Sequence, residues 1–116
     1  LIEMAEGSNC TAEINYAILP VADGVREYLA QRIVPDATYR NWNSYSTQTA
    51  FEKGVNVMEA FNLLPDPQTN GGLLIAVDVR AVDTVKNILK ENGLVNFAEP
   101  VGVFTERVEK TVFVKQ

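Results

Sequence analysis

The stretch Leu64-Pro65-Asp66-Pro67-Gln68-Thr69-Asn70-Gly71-Gly72-Leu73-Leu74 gathers the residues of this chain whose types and spacing could do chemistry. Its two prolines make a stiff, extended entry and push the residues before them out of helical backbone. Asp66, Gln68, Thr69 and Asn70 add polar side chains, and Gly71 and Gly72 admit backbone conformations closed to other residues. Backbone amides from Thr69 to Gly72 could form an anion-binding concavity of the kind that holds phosphate, with Thr69 and Asn70 as neutral donors. It is not a P-loop, because no Lys follows the glycines and an apolar run stands where a helix N-terminus should begin. On residue types alone, a structural turn leading into a core strand competes with a ligand site.

A second polar cluster is Arg40-Asn41-Trp42-Asn43-Ser44-Tyr45, one cation and several hydrogen-bonding groups beside aromatics. Arg40 could clamp a phosphate bidentately. The pairs Asp36/Arg40 and Glu52/Lys53 read as solvated charges. Cys10 is the single cysteine and the chain has no His, so the usual Cys-His nucleophile is not available and Cys10 reads as an inert small residue. The pattern Asn9-Cys10-Thr11 matches a glycosylation acceptor by chance. Zinc and haem sites are excluded on the same residue counts, and no tight Asp/Glu cluster demands a hard cation. No general base, metal cage and nucleophile occur together, so the chain alone does not read as a complete enzyme.

These groups must be positioned by elements that the hydrophobic periodicity outlines. Leu1, Met4 and Ala5 read as a helix end stopped by Gly7. Residues 11–19 alternate, with Ala12, Ile14, Tyr16 and Ile18 on one face, as in a half-buried strand. Residues 22–33 follow helical spacing through Val25, Tyr28, Leu29 and Ile33. Residues 36–54 show no period and read as a long irregular connection, a candidate binding loop because of its Trp and two Tyr. A short helix over 55–64 precedes the Pro/Gly segment, and the apolar run 73–78 reads as a buried strand. Residues 81–92 form an amphipathic helix capped by Gly93, and 98–104 and 111–115 form two strands joined by a charged turn. The sum is one α+β domain, with a roughly four-stranded sheet and both longer helices packed on it.

Length supports a single core, and a net charge of -5 argues against a nucleic-acid or anionic-membrane surface. No apolar run approaches a membrane helix and no signal peptide is present. The solitary cysteine fits a reducing compartment, so a cytoplasmic location is expected. The chain opens at Leu1 and reads as part of a longer protein.

Asp66-Pro67-Gln68-Thr69-Asn70-Gly71-Gly72-Leu73-Leu74 closely resembles the Asp-Pro-Gln-Thr-Ser-Gly-Gly-Leu-Leu signature of selenophosphate synthetases (selenide, water dikinases). Residues 40–45 resemble that family's Arg-Asn-aromatic-x-Ser-Tyr segment, and Leu1-Ile2-Glu3-Met4-Ala5 is similar to its Leu-Leu-Glu-Met helix. Pro100-Val101-Gly102-Val103 is similar to its penultimate strand, so the likeness covers nearly the whole chain. Asn70 stands where the family usually has Ser, and Ser46 where a Gly follows the Tyr.

The resemblance implies a two-domain enzyme of the aminoimidazole ribonucleotide synthetase superfamily, making selenophosphate, AMP and phosphate from ATP, selenide and water. Residues 1–116 would be its C-terminal domain, an α/β/α layered unit with a mixed sheet, partly similar to ferredoxin-like topology. The reactive Cys or selenocysteine, the catalytic Lys and the metal-binding Asp residues belong to the family's N-terminal portion, which also holds most of the ATP and Mg2+ contacts. This chain by itself is therefore expected to be inactive, and the intact enzyme is expected to be a homodimer. Thr69, Asn70, Gly71 and Gly72, with Gln68, Asn41 and Ser44, would face the nucleotide and phosphate cleft. The alternatives are a sister enzyme, purine-biosynthetic or hydrogenase-maturing, or a non-catalytic ferredoxin-like module that binds a small ligand.

Overall fold

The computed structural model describes residues 1–68 and 70–116. Its nine main elements run α1 (Ile2–Gly7), β1 (Cys10–Asn15), α2 (Val25–Ala30), α3 (Asp36–Tyr45), β2 (Thr49–Phe51), α4 (Val57–Leu63), α5 (Val82–Glu91), β3 (Gly102–Glu106) and β4 (Val112–Lys115). The α+β class and the four-stranded mixed sheet are as expected, with strand order β2-β4-β1-β3. β1 pairs antiparallel with β3, from Cys10↔Glu106 to Ile14↔Gly102, and parallel with β4, from Ala12↔Val112 to Asn15↔Lys115. β2 lies parallel to β4.

Strand alternation puts Ala12, Ile14, Val112, Val114 and Phe51 on one face, and that face carries the core. Ala5 of α1 and Ala60 of α4 are fully buried against it; their small side chains let both helices approach closely. Tyr16, Val55, Leu63 and Leu64 close the cluster. On the opposite face, Glu13 and Lys115 make a 2.6 Å ion pair across β1 and β4.

Between β3 and β4 the chain does not make a hairpin, because β1 lies between the two strands. The connection therefore arches over the start of β1, and buried hydroxyls satisfy its backbone. Thr11 Oγ1 donates to the Lys110 carbonyl (2.9 Å) and accepts from the Val108 amide (3.0 Å). Thr111 Oγ1 accepts from Arg107 and donates to Gln48 Oε1, both at 3.0 Å. Both threonines are 1 % exposed.

Several expected elements take other forms. Residues 36–54 are mostly regular: α3, a 3-10 turn at Ser46–Gln48, and β2. α3 escapes a hydrophobic period because its inward stripe is Thr38, Asn41 and Trp42 rather than aliphatic. Residues 73–78 form no strand and are exposed, Leu73 at 90 %. An apolar run supplies strand propensity but not a pairing partner, and β2, β1 and β3 fill the places beside β4 and β1. The strand expected over 11–19 stops at Asn15, whose side chain accepts from the Ala17 amide and starts a 3-10 turn, leaving Ile18 exposed. α1 runs through Gly7 and stops at Asn9, which takes the left-handed conformation (φ 51°) instead. α2 is shorter than expected, bounded by Gly24 (φ 81°) and Arg32 (φ 61°). It packs on α4 rather than the sheet, and α5, with no buried residue, lies against its flanking turns. α5 does end as expected: Gly93 (φ 78°) and Leu94 donate to the Lys90 and Leu89 carbonyls, closing the last turn. β3 begins at Gly102 rather than at residue 98.

Candidate functional site

α3 is fixed by aromatics. The Trp42 ring meets Phe61 of α4 edge-on at 4.9 Å between centroids and lies 5.8 Å from Phe51 of β2. Tyr39 adds a third contact on Phe61 at 6.0 Å. With α3 so held, Asn41 faces the segment leaving α4, and its Nδ2 donates to the Pro65 carbonyl at 2.9 Å. The two polar clusters that stand apart in sequence thus meet through one hydrogen bond.

Beyond Pro65 the loop makes local bonds. The Asp66 amide donates to Leu63 O (3.4 Å) and the Gln68 amide to Asp66 O (3.0 Å). Gln68 folds back over Gly71, where an added Cβ would lie 2.6 Å from Gln68 Oε1. Neither Gly71 nor Gly72 has a positive φ. Neither is therefore held in a left-handed backbone, which corrects the expectation from composition, and the close neighbour of Gly71 is the movable end of the Gln68 side chain. The amides of Gly71 and Gly72 donate to no other described residue, and both glycines and Asn70 are exposed. Thr69 lies outside the described residues.

Asn41 and Gln68 line a cleft of about 820 Å³ between α1, α3 and the loop, floored by Ile14, Val112 and Val114. Asp66, Tyr45 and Glu3 also border it. Across the loop lies a second cleft of about 530 Å³, walled by α2 and the end of α4, which Leu64, Asp66 and Gln68 line as well. Asn70, Gly71, Gly72 and Ser44 line neither cleft. Ser44 Oγ donates to Arg40 O of its own helix (3.1 Å), and Arg40 is exposed. Asp66, Trp42 and Tyr45 belong to the two polar segments but are not among the residues expected to face the cleft, and Leu1, Ile2 and Glu3 lie outside both segments. The i, i+4 spacing of Thr38 and Trp42 was the available signal for α3.

The displaced titrations lie elsewhere. Burial pushes the Tyr16 phenol up, partly offset by Arg26. A hydrogen bond from Lys86 lowers Glu99, and one to Glu13 raises Lys115. Among the described residues no three His, Cys, Asp or Glu side chains converge to hold a metal ion. Cys10 is half-buried, its thiol 3.3 Å from Ser8 O. No helix is long and apolar enough to cross a membrane among the described residues. The clefts offer amides, carboxylates, hydroxyls and apolar walls, which can bind and orient a ligand.

The family profile described as "AIR synthase related protein, C-terminal domain" matches residues 1–115. The chain is similar to proteins named "Selenide, water dikinase". It is 43% identical to that of Haemophilus influenzae strain Rd over 94 residues, 81% of this chain and 26% of that protein. With the one from Pseudomonas putida, identity is 38% over 112 residues, 97% of this chain and 31% of the relative. With the Bordetella bronchiseptica protein it is 46% over 78 residues, 67% and 22% of the two chains. The chain thus spans about a quarter to a third of the length of the curated relatives it matches.

Proposed function

This chain belongs to the AIR synthase related family, matching its C-terminal domain, and from that premise we propose that it works as the C-terminal domain of a selenide, water dikinase. The observation that carries this reading is the identity of 38% across 97% of the chain to a relative of that name. The joining of the two signature segments through Asn41 and Pro65 supports it.

In this reading residues 1–116 cover the nucleotide and phosphate cleft of an enzyme that turns ATP, selenide and water into selenophosphate, AMP and phosphate. Thr69, Asn70, Gly71 and Gly72 are its anion-facing group, with Gln68, Asn41 and Ser44 beside them. Their contribution is positioning and electrostatic stabilisation, which dominates phosphoryl transfer. The exposed amides of Gly71 and Gly72, which donate to no other described residue, suit that role. Among the described residues no cage for Mg2+ is formed, so no step is assigned to the ion on this chain. ATP, Mg2+ and the reactive nucleophile belong mainly to the N-terminal portion, and the intact enzyme acts in the cytoplasm as a homodimer.

The test is selenide-dependent conversion of ATP to AMP by the full-length gene product, beside the 116-residue chain. The full-length protein is expected to turn over and the chain alone is not. Activity of the chain alone overturns the proposal. Full-length ATP turnover indifferent to selenide assigns the protein to a sister enzyme of the family.

A further inference from the structure

Resting on the reading that the 64–74 loop faces the phosphates, we infer that Asn41 is a positioning residue, which holds that loop through Pro65 rather than touching ligand. Pro65 and Pro67 have no N–H, so this stretch lacks two of the donors by which a loop could be tied down. The bonds made by the Asp66 and Gln68 amides are local. Among the described residues, the 2.9 Å bond from Asn41 is the one hydrogen bond joining residues 65–77 to an element other than α4. Both partners are half-buried, so the Pro65 carbonyl depends on that donor.

α3 is a firm base for the tie, because Trp42, the next residue, is wedged between Phe61 and Phe51. Neighbouring polar groups of the same cluster cannot substitute. The Ser44 hydroxyl is used on the Arg40 carbonyl, and Arg40 points to solvent-exposed surface. Without Asn41 the loop must be ordered at the moment ligand binds, and that cost appears in affinity.

The test uses the full-length protein with Asn41→Asp, which keeps the size and removes the donor. Hydrogen exchange without ligand is expected to quicken about fivefold to tenfold at the Asp66 and Gln68 amides, the loop amides that have acceptors, with β1 and β4 unchanged. KM for ATP should rise more than kcat falls, and Asn41→Gln should restore part of both. Asn41→Ala carries the same expectation and replaces the aspartate variant should that one not fold. Loop exchange equal to wild type with a raised KM overturns the inference in favour of direct ligand contact. Faster exchange throughout β1 and β4, or failure of both variants to fold, overturns it in favour of a general structural role. Absence of selenide-dependent turnover defeats the proposed function, while the exchange comparison still decides the role of Asn41.

Discussion

The Tyr16 hydroxyl donates to Glu59 Oε1 at 2.7 Å, tying the residue after β1 to α4. Arg26 of α2 pairs with the same carboxylate, and its guanidinium lies 5.9 Å from the centre of the Tyr16 ring. Three elements on the core side of the sheet are therefore joined at one point. The joint also seats α4, whose end launches the loop that Asn41 holds.

Tyr16→Phe should cost about 2 kcal/mol, the usual worth of a hydrogen bond to a charged partner. The phenol also sets a pH limit. Its folded pKa lies above the ordinary 10.0 because burial disfavours the phenolate. Its contribution is thus fully present below pH 10 and is lost as pH rises through the folded value. Urea unfolding between pH 9 and 11 should show this alkaline loss in the wild type and a shallower loss in Tyr16→Phe. Equal slopes would refute the assignment.

Glu99 predicts an acid limit at α5. Lys86 approaches its carboxylate to 2.6 Å and Lys90 to 3.3 Å, and the Lys86 bond leads in lowering the Glu99 pKa. A lowered folded pKa means the contribution is present above the usual carboxylate range and lost as pH falls through the folded value. Protection factors in α5, corrected for the intrinsic exchange rate at each pH, should fall on acidification, less so in high salt, since Glu99 and Lys90 are solvent-exposed. Glu99→Gln should remove most of that pH dependence while leaving the amides of β1 unaffected.

Gly102 marks a close backbone approach in β3. A Cβ there would collide with the Glu13 carbonyl oxygen and press on Ile14 Cα at 3.1 Å, neither of which can rotate away. Gly102→Ala should therefore cost about 2 kcal/mol and loosen the β1–β3 pairing first. A melting temperature unchanged from wild type would contradict this geometry.

Thr11 illustrates what composition could and could not convey. Alternation in 11–19 gave the buried face of β1 through Ala12 and Ile14 and its continuation at Tyr16, and Gly93 gave the end of α5. Those signals are local, since a period or a cap needs no knowledge of distant chain. Thr11, by contrast, is buried because the 107–111 connection crosses β1, a fact of strand order that no window of residues contains. The same holds for the site. Asn41 and Gln68 were legible as residue types within two recognisable segments, but the hydrogen bond from Asn41 to Pro65 spans 24 residues and depends on where Trp42 packs. α3 was hidden because a narrow stripe of Thr38, Asn41 and Trp42 does not look hydrophobic.

Leu73 gives the sharpest test of where periodicity failed. As the head of a buried strand it should cost about 3 kcal/mol when cut to Ala, through lost burial and the cavity left behind. It is instead 90 % exposed, with Val79 at 84 % and Ile75 at 54 %, and none of residues 73–78 pairs with the sheet. Leu73→Ala should thus change unfolding free energy by no more than about 0.5 kcal/mol. Val114, fully buried in β4, supplies the internal yardstick, and Val114→Ala should cost about 2 kcal/mol in the same urea titration. Were Leu73→Ala as damaging as Val114→Ala, residues 73–78 would have to pack in the core, and the exposed path of this segment would be wrong.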